Sequence, residues 1–150
     1  MESLLDSNFT FEEIDILVGK LKNNKACAGD KVLNEFICAS YNKLRPVYVL
    51  LFNRVLEEGI IPDSWLNGII LPIYKNKGDS NNPDNYRGIT LLSCLGKLFT
   101  SAVNNRLNKY ADGVNLINEN QAGFRKKYST TDHIFLLKNV IDLHLKQKKR

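Results

Sequence analysis

The feature that most constrains this chain is a change of period. Up to about residue 60, apolar residues recur at helical spacing. Between Gly68 and Leu92 they do not. Gly68 to Tyr74 is a short, Ile-rich run stopped by Lys-Asn-Lys-Gly-Asp, and Tyr86 to Leu92 is a second such run. Short apolar runs bounded by turn chemistry read as strands. The polar stretch Lys75 to Asn85, with Gly78, Pro83 and several Asn and Asp, joins them as a loop. A single hairpin in an otherwise helical chain of 150 residues makes the expected fold class α+β.

The helices have their own signals. Thr10 and Glu13 fit a capping box, and Phe11, Ile14, Leu17, Val18 and Leu21 follow at helical spacing, with Asn23-Asn24 as the stop. Lys25 to Asp30 is a loop, with Asp30 as the N-cap of a second helix carrying Val32, Leu33, Phe36, Ile37, Ser40 and Leu44 on one side. Pro46 suits the first turn of a third helix, with Leu50, Leu51, Val55 and Leu56 on its apolar face and Gly59 at its end. Behind Pro62, Trp65 is a candidate core anchor. After the hairpin, Ser93 caps a helix to about Tyr110, with Leu95, Leu98, Phe99, Ala102, Val103 and Leu107 facing inward. Residues 111–128 are irregular. Ser129 and Asp132 cap a last helix bearing Ile134, Leu137, Ile141 and Leu145, which reaches the basic end Lys146 to Arg150 without a stop signal, as expected of a piece of a longer chain.

Composition excludes several classes. Three cysteines, Cys27, Cys38 and Cys94, fit neither a disulfide framework nor a zinc site, and suit a reducing compartment. The N-terminus lacks a secretory pattern, and the longest aliphatic-aromatic run, Val47 to Phe52, is far short of a membrane span. Charge is uneven. Residues 1–70 hold 7 Lys and Arg against 10 Asp and Glu, whereas residues 71–150 hold 14 against 6. The basic half is where an anion, nucleic acid above all, would bind; a solvated basic surface has the same composition.

Two constellations could use that charge. Lys75 and Lys77 end the first strand and Arg87 opens the second, so pairing would gather cations at one mouth, as a clamp for a triphosphate or a nucleic-acid backbone or simply as a solubilising tip. Gln121-Ala122-Gly123-Phe124-Arg125-Lys126-Lys127-Tyr128 interleaves two aromatics with three cations, which suits stacking and phosphate contact with a single strand; a core Phe124 beside a solvated charge run is the plainer alternative. His133 and His144 have no metal-ligand partners in the sequence, and Asp142 reads as helix surface.

Three blocks in order, WLNGIILPIYKNKGD from Trp65, YRGITLLSCLGK from Tyr86 and QAGFRKKYSTTDH from Gln121, resemble the reverse transcriptase of non-LTR, LINE-type retrotransposons. The earlier FTFEEI, LKNNKACAGD and EF resemble the helical extension preceding the fingers in that family. The resemblance implies a right-hand polymerase of which residues 1–60 are the helical N-terminal extension and residues 61–150 the fingers and the lead-in to the palm. Palm and thumb would lie outside the chain. It implies that Lys75, Lys77 and Arg87 touch the triphosphate of the incoming dNTP, Lys77 the weakest of the three. It implies that Gln121, Gly123, Phe124, Arg125, Lys126 and Lys127 border the nucleic-acid template. The implied partners are an RNA template, a DNA primer, dNTP and the palm and thumb of the parent polymerase, working in cytoplasm or nucleus. The implied cofactor is Mg²⁺, held by palm carboxylates of the complete polymerase. No aromatic-x-Asp-Asp box occurs in these residues, so no catalytic or metal-ligating residue is expected among them, and the 150-residue chain alone is expected not to polymerise. The family's Ala-Pro-Gly-x-Asp loop is here Ala26-Cys27-Ala28-Gly29-Asp30, without the Pro and with the Gly displaced. Alternative readings are a non-catalytic nucleic-acid-binding module and an inactive mobile-element relic.

Overall fold

The computed structural model describes residues 3–118, 121–123, 125 and 128–148. The order of elements is α1 (Ser3–Asp6), α2 (Phe11–Val18), α3 (Asn34–Glu58), α4 (Asp63–Leu66), β1 (Ile69–Tyr74), a 3₁₀ turn (Pro83–Asn85), β2 (Tyr86–Leu91), α5 (Cys94–Gly113) and α6 (Thr130–Lys148). The fold is α+β, with helices around one two-stranded antiparallel sheet. The chain divides into two compact units at Tyr110 and Ala111.

The first unit is built on α2, α3 and the first part of α5. Thr10 and Glu13 form the capping box reciprocally. Thr10 N–H donates to Glu13 Oε2 (2.9 Å) and Glu13 N–H to Thr10 Oγ1 (3.3 Å). Ile14, Leu17 and Val18 then bury one side of α2. The core gathers Phe9, Phe52, Trp65 and Phe99, whose rings meet edge-on or tilted with centroids 5.7–6.0 Å apart. Such pairs add about 0.5–1.5 kcal/mol each beyond burial. Trp65 is therefore the anchor its position suggested.

The expected second and third helices are one. α3 runs through Pro46, whose missing N–H would ordinarily break or bend a helix. The buried positions explain its continuity. Ile37, Tyr41, Val49, Phe52 and Val55 form a single stripe across the proline. Arg45 fills the gap in that stripe with Asp15 of α2, its Nε donating to Oδ1 at 2.8 Å and its Nη2 to Oδ2. Tyr41 donates its hydroxyl to the same Oδ1 at 2.7 Å. Ser40 and Tyr48 also bond through their hydroxyls (2.7 Å), bridging the proline along the helix. Packing outweighs the lost bond. The continuous stripe also leaves Phe36, Leu44 and Leu50 exposed rather than inward-facing.

Other boundaries shift for local reasons. α2 stops at Val18, short of Asn23-Asn24. Asp30 caps no helix. Its Oδ1 accepts from Val32 N–H two residues on (3.2 Å), an Asx turn, and α3 begins after Leu33 without a side-chain cap. The loop before α3 is held from the helix itself: Asn34 Nδ2 donates to Lys22 C=O (2.8 Å) and Glu35 Oε1 accepts from Asn24 N–H (2.5 Å). Gly59 ends α3 in the left-handed conformation, φ 65°, as expected. Ser93 starts α5, its Oγ accepting from Gly96 N–H (3.2 Å). On α5, Leu98, Phe99 and Ala102 are buried but Leu107 is exposed, because the inward position at that turn belongs to Arg106.

In the second unit, Ser129 and Asp132 bond as a cap pair at the start of α6. The expected apolar face of α6 is absent. Ile134, Leu137, Ile141 and Leu145 are exposed, and so are Phe135, Leu136, Val140 and Leu143 on its other sides. No helix among the described residues is long and apolar enough to cross a membrane.

Candidate nucleotide and nucleic-acid interface

β1 and β2 pair in the register Ile69↔Leu91 to Tyr74↔Tyr86, with Ile73 opposite Arg87. Beyond the last pair, Lys75 N–H still donates to Asn85 C=O (2.8 Å). Side chains alternate between faces along each strand. Leu71, Ile73 and Lys75 therefore share a face with Arg87 and Ile89, and Ile70, Pro72 and Tyr74 share the other with Tyr86, Gly88 and Thr90. Lys75 and Arg87 are diagonal neighbours, their Cα atoms roughly 7–8 Å apart at that register. Both are exposed. The structure thus brings together two of the three cations read from the sequence, on one face of the hairpin. Lys77 lies in the loop, exposed.

The loop is densely bonded rather than slack. Tyr74 and Tyr86 pack across the last pair with their rings tilted by 49° and centroids 5.4 Å apart. Each sends its hydroxyl into the loop, Tyr74 to Gly78 C=O and Tyr86 to Ser80 C=O, the latter at 2.8 Å. Asn85 Nδ2 donates to Asp79 C=O (2.8 Å), and Asp79 Oδ1 accepts from Asn81 N–H (2.9 Å). Gly78 has φ 83°, and a side chain there would also run into the Asn85 amide at 2.5 Å. Lys75 Nζ donates to Asp84 C=O (2.7 Å). An ammonium has three donors, so two remain for an anion. Lys75 and Lys77 are balanced within the loop by Asp79 and Asp84, and Arg87 is the surplus charge.

Around Gln121, Gln121 N–H donates to Asn118 C=O (3.0 Å) and Arg125 N–H to Ala122 C=O (3.2 Å), closing a tight turn on the buried Ala122. Arg125 lays its guanidinium over the Tyr128 ring, 4.6 Å from the centroid, and donates to Asn118 C=O (3.2 Å). Gln121 and Gly123 are exposed, and Gly123 has open space around it. Phe124, Lys126 and Lys127 lie outside the described residues.

One tie was not foreseen from the sequence. Arg106 is 4% exposed. Its Nε and Nη2 hold the two oxygens of Glu13 at 2.8 and 2.7 Å, while Nη2 and Nη1 reach the carbonyls of Asn8 and Ser7. The guanidinium sits 4.2 Å above Phe9. The Arg106 bonds hold the Glu13 carboxyl below its ordinary value of 4.5, and Arg45 likewise lowers Asp15. Burial, together with the Asp15 carboxylate, pushes the Tyr41 phenol up to about 12. The only sequence signal for Arg106 is its helical spacing after Leu98, Phe99 and Ala102. Among the described residues, no three His, Cys, Asp or Glu side chains come together as a metal site.

No family model matches the chain. Individual proteins do. The RNA-directed DNA polymerase from mobile element jockey of Drosophila melanogaster is 32% identical over 137 residues, 91% of this chain and 15% of that protein. The probable RNA-directed DNA polymerase from transposon BS of the same organism is 31% identical over 126 residues, 84% of the chain and 14% of the relative. That from transposon X-element is 27% identical over 122 residues, 81% and 13%. The chain thus spans about one seventh of the length of the curated relatives it matches. Over most of its own length, this chain is a homologue of the RNA-directed DNA polymerases of Drosophila non-LTR retrotransposons.

Proposed function

We propose that this chain is the substrate-handling part of a retrotransposon reverse transcriptase, the N-terminal extension and fingers, which receives the incoming dNTP and borders the RNA template. The observation that carries this reading is the hairpin register, which sets Lys75 and Arg87 side by side on one exposed face. In phosphoryl transfer, the primer 3′-hydroxyl attacks the α-phosphate and pyrophosphate leaves. Cations fixed along the β- and γ-phosphates stabilise the charge that develops there. Arg87 offers a planar fork to two phosphate oxygens, and Lys75 a point charge already fixed by the Asp84 carbonyl. Lys77, from the loop, adds charge without a fixed direction. Gln121, Gly123 and Arg125 form the turn that borders the template, with Tyr128 under the Arg125 guanidinium. Phe124, Lys126 and Lys127 belong to the same block.

The residues present do not fit the Mg²⁺ that the family resemblance implies, because no carboxylate cluster forms among the described residues. That ion belongs with the palm of the parent protein, and no step here passes through it. These 150 residues alone are expected not to extend a primer.

The test is a chimaera in which this chain replaces the matching segment of the jockey polymerase. If the chimaera extends a primer, Lys75→Ala and Arg87→Ala should each raise KM for dNTP by about tenfold or more, the size of a lost charged hydrogen bond. Unchanged KM in both variants would contradict the triphosphate role.

A further inference from the structure

Ile134, Leu137, Ile141 and Leu145 follow one line along α6 at spacings of three and four residues, and are 49–66% exposed. That spacing is the seam by which one helix packs on another. Single apolar residues on a surface need no explanation, but four in one line do. The order of the residues says what fits them. Turned end over end against a second copy of the helix, Ile134 comes level with Leu145 of that copy and Leu137 with its Ile141.

Charge obeys the same symmetry. Lys138 is four residues from Ile134 and three from Ile141, and Asp142 is three from Leu145, so both border the line on one side. Both are exposed, and among the described residues neither forms an ion pair. In an antiparallel pair related by a twofold axis, the same flank of each helix meets. Lys138 then faces Asp142 of the copy, and Asp142 faces its Lys138. The apolar and the charged pairings all fall within about 1.5 Å, one residue's rise, of a single register. A parallel pair would instead set Lys138 beside Lys138 and Asp142 beside Asp142.

We propose that α6 is a self-association surface, through which two copies of this chain pair antiparallel across Ile134, Leu137, Ile141 and Leu145, with Lys138 and Asp142 exchanging ion pairs along one edge. The contact is isologous, so each pairing occurs twice. It does not depend on the triphosphate reading of the hairpin. A helix of 19 residues is about 28 Å long, a small interface by the standard of about 1,200 Å² for stable pairs, so micromolar affinity is expected.

The experiment is sedimentation velocity of the 150-residue chain over a concentration series at low salt, with circular dichroism to check that each variant keeps its helix content. The unaltered chain should pass from monomer to dimer and no further, because an isologous contact closes. Leu137→Asp should leave it monomeric throughout. Lys138→Asp and Asp142→Lys should each weaken pairing about fivefold, because two attractions become two repulsions. Mixing these two variants, or combining both substitutions in one chain, should restore pairing, since opposite charges meet again. A monomer at every concentration would overturn the proposal and leave the line to another partner, such as the rest of the parent polymerase. Association that continues beyond the dimer, or a dimer indifferent to Leu137→Asp, would overturn it as well. Single reversals that change nothing, with a mixture tighter than the unaltered chain, would mean parallel pairing and overturn the antiparallel register.

Discussion

The core of the first unit and the hairpin are held by opposite means. Around Phe52, which is 0% exposed, apolar side chains from α2, α3 and α5 interlock, and the polar residues buried with them, Asn34, Ser93 and Arg106, are each hydrogen-bonded. In the hairpin the apolar residues are outside. Ile70 is 69% exposed, and Leu71, Ile73 and Ile89 of the opposite face are close to half exposed. What holds it is the ladder and a loop of hydrogen bonds around two tyrosines in tilted ring contact. A two-stranded sheet with neither face covered is marginal by itself. One part of this chain is held by packing, and another leaves its apolar side chains in solvent. α6, apolar and exposed on every side, belongs with the second kind.

If that contrast is right, substitutions should separate the two regions. The largest effect is expected from Phe52→Ala, which empties the middle of the aromatic cluster and should cost about 3–5 kcal/mol in urea unfolding. Arg106→Ala comes next. It breaks a buried pair but leaves Glu13 partly open to water, so a loss of about 3 kcal/mol is expected, at the lower end of such cases. A loss below about 0.5 kcal/mol would mean that the Arg106 tie contributes nothing net.

The same tie predicts a pH dependence. Glu13 binds its proton less readily folded than unfolded, because the Arg106 bonds favour the carboxylate. Its contribution is therefore fully present above the unfolded value near 4.5 and is lost as pH falls through the lower folded value. Thermal unfolding between neutral pH and pH 3 should show stability falling in acid, with a shallower fall in Arg106→Ala. Identical slopes in the two proteins would assign the acid loss to other carboxylates. In the hairpin, Ile70→Ala removes a side chain already in solvent and should change stability by no more than about 0.5 kcal/mol. A cost of 2 kcal/mol would show that the hairpin's apolar face is covered in the folded chain and would erase the contrast. The smallest effect belongs to the second unit. Arg125→Ala should lower the slope of log affinity for single-stranded RNA against log salt by about 0.7, one phosphate contact. An unchanged slope would remove Arg125 from the proposed template border.

Much of this was legible in the sequence. Thr10 with Glu13, Ser93 and Gly59 declare their helix ends, because each signal is local and acts through the nearest amides or a single φ. The hairpin declares itself by period and by the turn residues between its strands. Pro46 misled because its local effect is real. Only the buried stripe from Ile37 to Val55, sustained by Arg45 and Asp15 30 residues apart, carries the helix through it. Arg106 was hidden for the same reason, since its partner Glu13 is 93 residues away. Within the site, the sequence supplied the cations, but the face they share is a matter of register. The bonds of the Tyr74 and Tyr86 hydroxyls to the Gly78 and Ser80 carbonyls were not legible, because both look like ordinary strand residues.

The most direct test of the account is a titration of the ¹⁵N-labelled chain with dATP and, separately, with deoxyadenosine, read as amide and side-chain shifts. The account predicts shifts with dATP centred on Lys75 and Arg87 and their β1–β2 neighbours, no comparable response to deoxyadenosine, and loss of the dATP response in Lys75→Ala with Arg87→Ala. Equal responses to dATP and deoxyadenosine, or dATP shifts that survive the double substitution, would contradict it.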